Sequence, residues 1–153
     1  MGNGYLYSCP HCGEKNKFLE GVGMWMFAHP EEVFYGENPM VKDLISVELW
    51  EEYQTLIKNG WRLPLMVFKG RPRPFWYDYI VCYCPECKTM KQRFTFILTK
   101  AGEVYVPVHT CEACGTELKE WKFSECETSL SIICKKCNNK YPIESVSEIC
   151  KWD

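Results

Sequence analysis

Residues 111–137 read CEACGTELKEWKFSECETSLSIICKKC and contain two Cys-x-x-Cys pairs, Cys111 with Cys114 and Cys134 with Cys137. Nineteen residues, 115–133, separate the two pairs. This separation is close to the one expected of a four-cysteine zinc module. Between the pairs, residues 117–123 and 130–133 have the composition of strands, with polar turn residues between them. The segment therefore predicts two hairpins that carry metal ligands.

The same spacing occurs twice more in the chain, so four pairs account for eight of the eleven cysteines. A random distribution of eleven cysteines would give about one such pair. Two intervening residues form a tight turn, here called a knuckle, in which both thiolates point at one tetrahedral ion. Because each knuckle supplies half of a four-sulfur shell, the sequence predicts two closed metal sites. Their ligands are Cys9, Cys12, Cys84, Cys87, Cys111, Cys114, Cys134 and Cys137.

The residue that follows each knuckle is informative about the backbone. Gly13, Gly115 and Asn138 stand directly after the second cysteine of three knuckles, where a tight turn commonly needs a positive φ. Lys88 holds this position in the remaining knuckle, which we expect to be more strained or slightly different in shape.

Three cysteines fall outside the four knuckles. Cys82 is predicted to be a buried small apolar residue, with a spare metal ligand as the alternative. Cys126 lies in a polar turn and is predicted to be an exposed thiol, whereas Cys150 is predicted to pack on a short terminal helix. A bond between Cys126 and Cys150 stays open, because its geometry cannot be read from sequence.

The four knuckles and their flanking strands, about half of the chain, resemble zinc-ribbon proteins, in which two knuckles on β-hairpins hold one zinc ion. The resemblance implies two Zn²⁺ ions, with iron as an alternative in a four-cysteine site, as in rubredoxin. The Cys-Pro-x-Cys segments around a helix are also weakly similar to a group of uncharacterised bacterial Cys-Pro-x-Cys proteins.

Two pairings of the knuckles fit the spacing. We favour sequential pairing, in which Cys9 and Cys12 join Cys84 and Cys87, and the two C-terminal knuckles form the second site. In the alternative, the middle two knuckles, separated by twenty-three residues, share an ion. In that arrangement the first and the last knuckle share the other ion.

The fold class predicted from these patterns is mainly β with one helical insertion, a small α+β protein of tandem, metal-stabilised ribbon-like hairpins. Residues 1–108 are predicted to form an N-terminal ribbon-like domain with its insertion at about 21–80, and residues 109–153 a C-terminal ribbon. In the insertion, Asn38 can cap a helix that Gly60 ends, with a break near Ser46 as an alternative. Residues 71–74 are predicted to be a stiff turn between two strands.

Charge is unevenly distributed along the chain, whose formal net charge is −2. Residues 61–100 hold eight basic and two acidic residues, and here Lys69, Arg71 and Arg73 precede Trp76. Cations beside aromatic rings are typical of nucleic-acid contacts. Against this, two four-thiolate zinc sites would lower the net charge to about −6, which opposes nonspecific binding to DNA.

The remaining expectations concern location and activity. Apolar runs of about six residues are far shorter than the roughly 20 that span a bilayer, and the first residues lack the apolar core of a secretory signal. We therefore expect a cytoplasmic location and no membrane partner. The sequence lacks the usual zinc-hydrolase, phosphate-loop and dinucleotide motifs, so we expect no enzyme. The expected function is that of a protein-recognition or regulatory module, with binding of a nucleic acid through residues 69–77 as the alternative, and the oligomeric state stays open.

Overall fold

The computed structural model describes residues 2–68, 71–74, 77–122, 130–143 and 148–152. Strands outnumber helices among these residues, and all printed strand pairs are antiparallel, in agreement with the predicted mainly β, small α+β class. The strands are β1 (Gly2–Ser8), β2 (Lys15–Glu20), β3 (Leu65–Phe68), β4 (Arg71–Pro74), β5 (Tyr77–Cys84), β6 (Thr89–Phe96), β7 (Leu98–Lys100), β8 (Glu103–Tyr105), β9 (Lys119–Trp121), β10 (Leu130–Ile133), β11 (Lys140–Ile143) and β12 (Glu148–Trp152). The helices are α1 (Met24–Ala28), α2 (Pro30–Phe34), α3 (Val41–Leu44) and α4 (Val47–Lys58).

The chain divides into two compact units. Unit 1 contains Met1–Gly21, Tyr79–Arg93 and Val108–Asp153, and unit 2 contains Val22–Asp78 and Phe94–Pro107. Strands distant in sequence pair within unit 1. The predicted domains, residues 1–108 with an insertion at about 21–80 and residues 109–153, stay a prediction.

Unit 1 is built from small sheets that join both ends of the chain. Strand β1 lies between β12 and β2, with Tyr5 opposite both Ile149 and Phe18. Strand β9 pairs with β5, and β10 forms a two-stranded sheet with β11. All four knuckles lie in this unit. Since β12 contains Cys150, the predicted terminal helix is wrong at that residue.

Unit 2 is organised around aromatic side chains. Phe34 is 2% exposed, and its ring lies 4.8 Å from the ring of Tyr77 and 6.0 Å from that of Phe96. Two buried tyrosines attach α1 and α2 to this core, because the hydroxyl of Tyr53 donates to the carbonyl of Phe34 and that of Tyr77 donates to the carbonyl of Met26, each at 2.7 Å. Unit 2 therefore has an apolar core of its own, in which none of the eight knuckle cysteines takes part.

The predicted helix of the insertion is divided in two at Ser46, as the alternative interpretation has it. Helix α3 ends at Leu44, Ser46 takes an extended conformation (φ −69°, ψ 162°), and α4 begins at Val47. The hydroxyl of Ser46 accepts a hydrogen bond from the backbone N–H of Leu49 at 3.3 Å, which satisfies one of the free donors at the start of α4.

Two short elements depart from the sequence expectations. Residues 24–28 and 30–34 form α1 and α2, which are too short to show a helical period in the sequence. Residues 71–74 form β4, paired with β3, so the predicted turn is wrong. Proline is tolerated there because β4 has β3 as its one partner among the described residues, and an edge strand can lack donors.

Replacing Ser46 by alanine should lower the free energy of unfolding of unit 2 by about 1 kcal/mol, because the N–H of Leu49 loses its acceptor. Urea unfolding followed by circular dichroism measures the change. Ser46→Asp retains an acceptor oxygen and is the matched control, expected to unfold as the parent does. Equal destabilisation by both substitutions would contradict the capping role.

Candidate metal centres

All four knuckles share one backbone geometry. In each, the N–H of the residue after the second cysteine donates to the carbonyl of the first cysteine, at 2.8–2.9 Å. The same residue has a positive φ in every knuckle: Gly13 (71°), Lys88 (55°), Gly115 (72°) and Asn138 (56°). The expectation of a positive φ is therefore confirmed at three positions. Lys88 also has a positive φ, which is energetically unfavourable for a residue with a Cβ.

Centre 1 joins the first and the last knuckle. The Sγ atoms of Cys9 and Cys137 lie 3.8 Å apart, and those of Cys12 and Cys134 lie 3.7 Å apart. All four sulfurs lie within 4.8 Å of one another. Four sulfurs bound at about 2.3 Å to a tetrahedral ion would be about 3.8 Å apart. The arrangement fits such an ion.

Centre 2 joins the two middle knuckles in the same manner. The Sγ atoms of Cys84 and Cys114 are 3.5 Å apart, those of Cys87 and Cys111 are 3.8 Å apart, and the four sulfurs again lie within 4.8 Å of one another. The backbone N–H of Cys87 donates to the Sγ of Cys84 at 3.3 Å. Such donors stabilise thiolate ligands of a metal.

The favoured sequential pairing is thus wrong, and the alternative pairing is the one observed. The physical reason lies in the strands. Because β9 follows the third knuckle and pairs with β5, which ends at Cys84, it brings the second and third knuckles together. The antiparallel pairing of β12 with β1 correspondingly brings the C-terminal part of the chain to the N-terminal strand.

Centre 1 is embedded in an apolar cluster. Cys9 and Cys134 are buried in it, and Cys12 and Cys137 pack against it. The other buried members are Tyr7, Phe18, Val81, Tyr83, Met90, Ile132 and Tyr141. The two knuckles are also joined by an ion pair at the surface, with the ammonium of Lys136 3.2 Å from a carboxylate oxygen of Glu14.

Centre 2 has a smaller apolar surrounding. Its buried neighbours are Cys82 and Leu118, with Ile80 half-buried beside them, and Cys114 is exposed. Glu112, inside the third knuckle, forms ion pairs with Lys91 and Arg93 of β6, and the hydrogen bond from Lys91 is the main reason that the pKa of Glu112 falls to about 2. These pairs attach the third knuckle to β6.

In the metal-free centres, neighbouring cysteines have very different thiol pKa values. In centre 2, hydrogen bonds from the side chain and backbone of Thr116 lower the pKa of Cys114 to about 6, while the hydrogen bond with Cys114 is the main factor that raises the pKa of Cys87 to about 12. In centre 1, hydrogen bonding to the backbone of Cys137 lowers the pKa of Cys134 to about 7. A cation bound to four thiolates would therefore displace protons from the metal-free cluster.

The other candidate residues are described to different extents. Cys82 is 2% exposed and belongs to neither group of four sulfurs, which agrees with its predicted role as a packed apolar residue. Its burial raises the pKa of its thiol to about 11. Cys126, Lys69 and Trp76 lie outside the described residues, and Arg71 and Arg73 are described only as backbone of β4. The predicted nucleic-acid contacts therefore stay a prediction.

His109 lies two positions before Cys111 and is predicted from the sequence to face away from the metal. The Nε2 atom of His109 is buried with no hydrogen-bond partner among the described residues. Burial lowers the pKa of His109 to about 4, so the ring is neutral at physiological pH. His109 is not among the ligand sets, each of which consists of cysteines alone within the described chain.

Comparisons with known proteins add no family to these observations. No protein-family model matches the chain, and neither do any curated protein or solved structure. Among the described residues, no helix has the length and apolar character needed to cross a membrane. Functional inference therefore depends on the two centres themselves.

Substituting Gly13 by alanine should lower the free energy of unfolding of unit 1 by about 1 kcal/mol, because a residue with a Cβ is strained at φ 71°. No atom lies within 4 Å of the added Cβ, so the cost is one of backbone conformation alone. Lys88→Gly is the reverse control, expected to leave stability unchanged or raise it. Urea unfolding at saturating metal measures both, and a neutral Gly13→Ala would contradict the assigned strain.

Proposed function

We propose that this is a zinc-binding protein with two structural zinc ions, each held by four thiolates, whose function is recognition of another protein. The observation that carries the proposal is the pair of complete four-sulfur sets, with sulfur–sulfur contacts of 3.5–3.8 Å. Four protein ligands fill a tetrahedral shell, whereas a catalytic zinc keeps a position for water. The proposal therefore assigns the ions a role in folding and no role in catalysis.

The energetics support a structural role. A four-cysteine zinc site contributes an apparent binding free energy of about 10–16 kcal/mol, against a total stability of about 5–15 kcal/mol for a typical domain. The sheets of unit 1 are short, and its two apolar clusters include four of the eight proposed ligands as buried members, with Cys12, Cys87 and Cys137 partly buried and packed against them. Unit 1 therefore depends on its ions for much of its folding free energy.

Metal analysis tests the proposal. Protein purified without added metal should contain about two zinc ions per chain and be colourless. Removal of the ions by a strong chelator should abolish the tertiary structure of unit 1, and Zn²⁺ should restore it. Mg²⁺ is the control that should not, because it is a hard cation that prefers oxygen ligands. Strong visible absorbance with bound iron would overturn zinc in favour of a rubredoxin-like centre.

Exposed apolar side chains of unit 2 support recognition of a protein. Val104 lies in β8 and Val106 directly follows this strand, and the two residues are 64% and 50% exposed. In an extended segment, residues at this spacing lie on the same side. An accessible apolar pair of this kind suits a protein partner better than a polyanion.

Affinity capture from the native cell tests this part of the proposal. The zinc-loaded protein should retain a protein partner after nuclease treatment, and a Val104→Glu/Val106→Glu variant should lose it. Val47→Glu, at a position on α4 that is 70% exposed, is the matched control and should retain it. Capture that depends on intact nucleic acid would instead favour the predicted contacts of residues 69–76.

A further inference from the structure

We propose that the two centres differ in reactivity, and that centre 2 is a modification site at which hydroperoxides oxidise the thiolates and release the ion while centre 1 keeps its own. This inference rests on the proposed function, because it requires an ion in each centre. The difference in surroundings between the two sulfur clusters carries it.

Access to sulfur is the first difference. In centre 1 no cysteine is exposed, and all four belong to or pack against a cluster that contains Tyr7, Tyr83 and Tyr141. In centre 2, Cys114 is exposed and stands outside the apolar cluster that covers Cys84 and Cys111. Since oxidation of thiolates follows their exposure, the Sγ of Cys114 is the sulfur that a dissolved oxidant reaches first.

Attachment of the knuckles is the second difference. Across centre 1, the ion pair of Glu14 with Lys136 holds the first knuckle to the last, and the side-chain amide of Asn139 donates to the Sγ of Cys137 at 3.6 Å. At centre 2, the ion pairs of Glu112 run to Lys91 and Arg93 on β6 and not to the knuckle of Cys84 and Cys87. The acidic partner at centre 1 thus lies two positions from Cys12, whereas the basic partners at centre 2 lie four and six positions from Cys87, farther along the chain from the sulfurs.

A hydroperoxide can serve as the two-electron oxidant that converts two thiolates of centre 2 to a disulfide. The Cys114 thiolate attacks the outer oxygen of the peroxide, and with one proton this gives a sulfenic acid and one molecule of alcohol, or water when the oxidant is hydrogen peroxide. A second thiolate then displaces hydroxide, which a second proton converts to water, and a disulfide forms. Cys84 is positioned for this step, with its Sγ 3.5 Å from that of Cys114. Two electrons pass to the peroxide, and the ion, left with two thiolates, dissociates.

Oxidation of the zinc-loaded protein by hydrogen peroxide tests the inference. Zinc release is followed with a colorimetric chelator, and the oxidised cysteines are identified by differential alkylation and mass spectrometry. We expect release in two phases, the first of one ion per chain and at least about tenfold faster than the second. Disulfides in the first phase should involve Cys114 with Cys84 or Cys87, while the sulfurs of centre 1 stay protected.

Two single-centre proteins provide the matched comparison. Cys12→Ser/Cys137→Ser retains centre 2 and should release its ion rapidly, whereas Cys87→Ser/Cys114→Ser retains centre 1 and should release its ion slowly. If either variant fails to fold, the inference is tested by the order in which the cysteines of the parent protein are oxidised, as identified by differential alkylation and mass spectrometry. Simultaneous release, or oxidation that begins at centre 1, would overturn the inference. Fewer than two ions before oxidation would instead overturn the proposed function.

Discussion

Replacing Cys12 and Cys137 together by serine is expected to cost the protein one ion per chain, whereas replacing Cys12 and Cys87 together should cost it both. The first pair of substitutions falls on one centre, and the second falls on two. Cys12, Cys87 and Cys137 are all half-buried, so the two variants are matched in the packing that they disturb. Elemental analysis after equilibration with a weak chelator measures the difference. Sequential pairing of the knuckles would give the opposite result.

A second measurement keeps this test decisive if a double variant unfolds. In the single variant Cys12→Ser, a chelator of graded strength removes the ion of the damaged centre first. Alkylation should then label the three remaining cysteines of centre 1, at positions 9, 134 and 137, while those of centre 2 stay protected. Joint labelling of Cys9 with Cys84 and Cys87 would contradict the pairing.

The largest effect expected outside the centres is that of Phe34→Ala. Phe34 is 2% exposed and its ring contacts those of Tyr53, Tyr77, Phe94 and Phe96. Removal of a buried phenyl ring leaves a cavity and typically costs about 3–5 kcal/mol. Urea unfolding followed by near-ultraviolet circular dichroism should show this loss in unit 2.

The metal content of Phe34→Ala shows whether the effect of the substitution is confined to unit 2. Because unit 2 supplies no cysteine to either centre, Phe34→Ala should bind as many ions as the parent. Val47→Ala is the control, since a side chain that is 70% exposed should change stability by less than about 0.5 kcal/mol. Loss of the ions from Phe34→Ala would contradict the separate core assigned to unit 2.

The cysteines of the two four-sulfur clusters could be predicted from sequence because a knuckle is a local structure. Two residues between cysteines, followed by a residue that accepts a positive φ, specify it within five positions, and Gly13 and Gly115 carry this signal plainly. The break before α4 is open to prediction for the same reason, since the hydroxyl of Ser46 accepts from the backbone N–H of Leu49, only three positions away.

The pairing of knuckles could not be predicted in this way. All four are equivalent locally, so their partners are chosen by contacts between distant strands, such as Val81 opposite Trp121 and Gly4 opposite Cys150. The ion pair of Glu14 with Lys136, 122 residues apart, belongs to the same class of contact. A short separation along the sequence does not identify the partner of a knuckle, because the entropy cost of closing a loop grows only slowly with the number of residues in the loop.

The two centres also differ in when they can assemble during synthesis. Cys9 and Cys137 are 128 positions apart, whereas Cys84 and Cys114 are 30 apart. Closing the longer loop costs only about 1.3 kcal/mol more, but it must await the synthesis of Cys137. A nascent chain can complete centre 2 once Cys114 has left the ribosome, while Cys9 and Cys12 wait as an unfinished half-site. Centre 1 thus joins residues 9–12 to residues 134–137, and a chain that stops before Cys134 cannot form it.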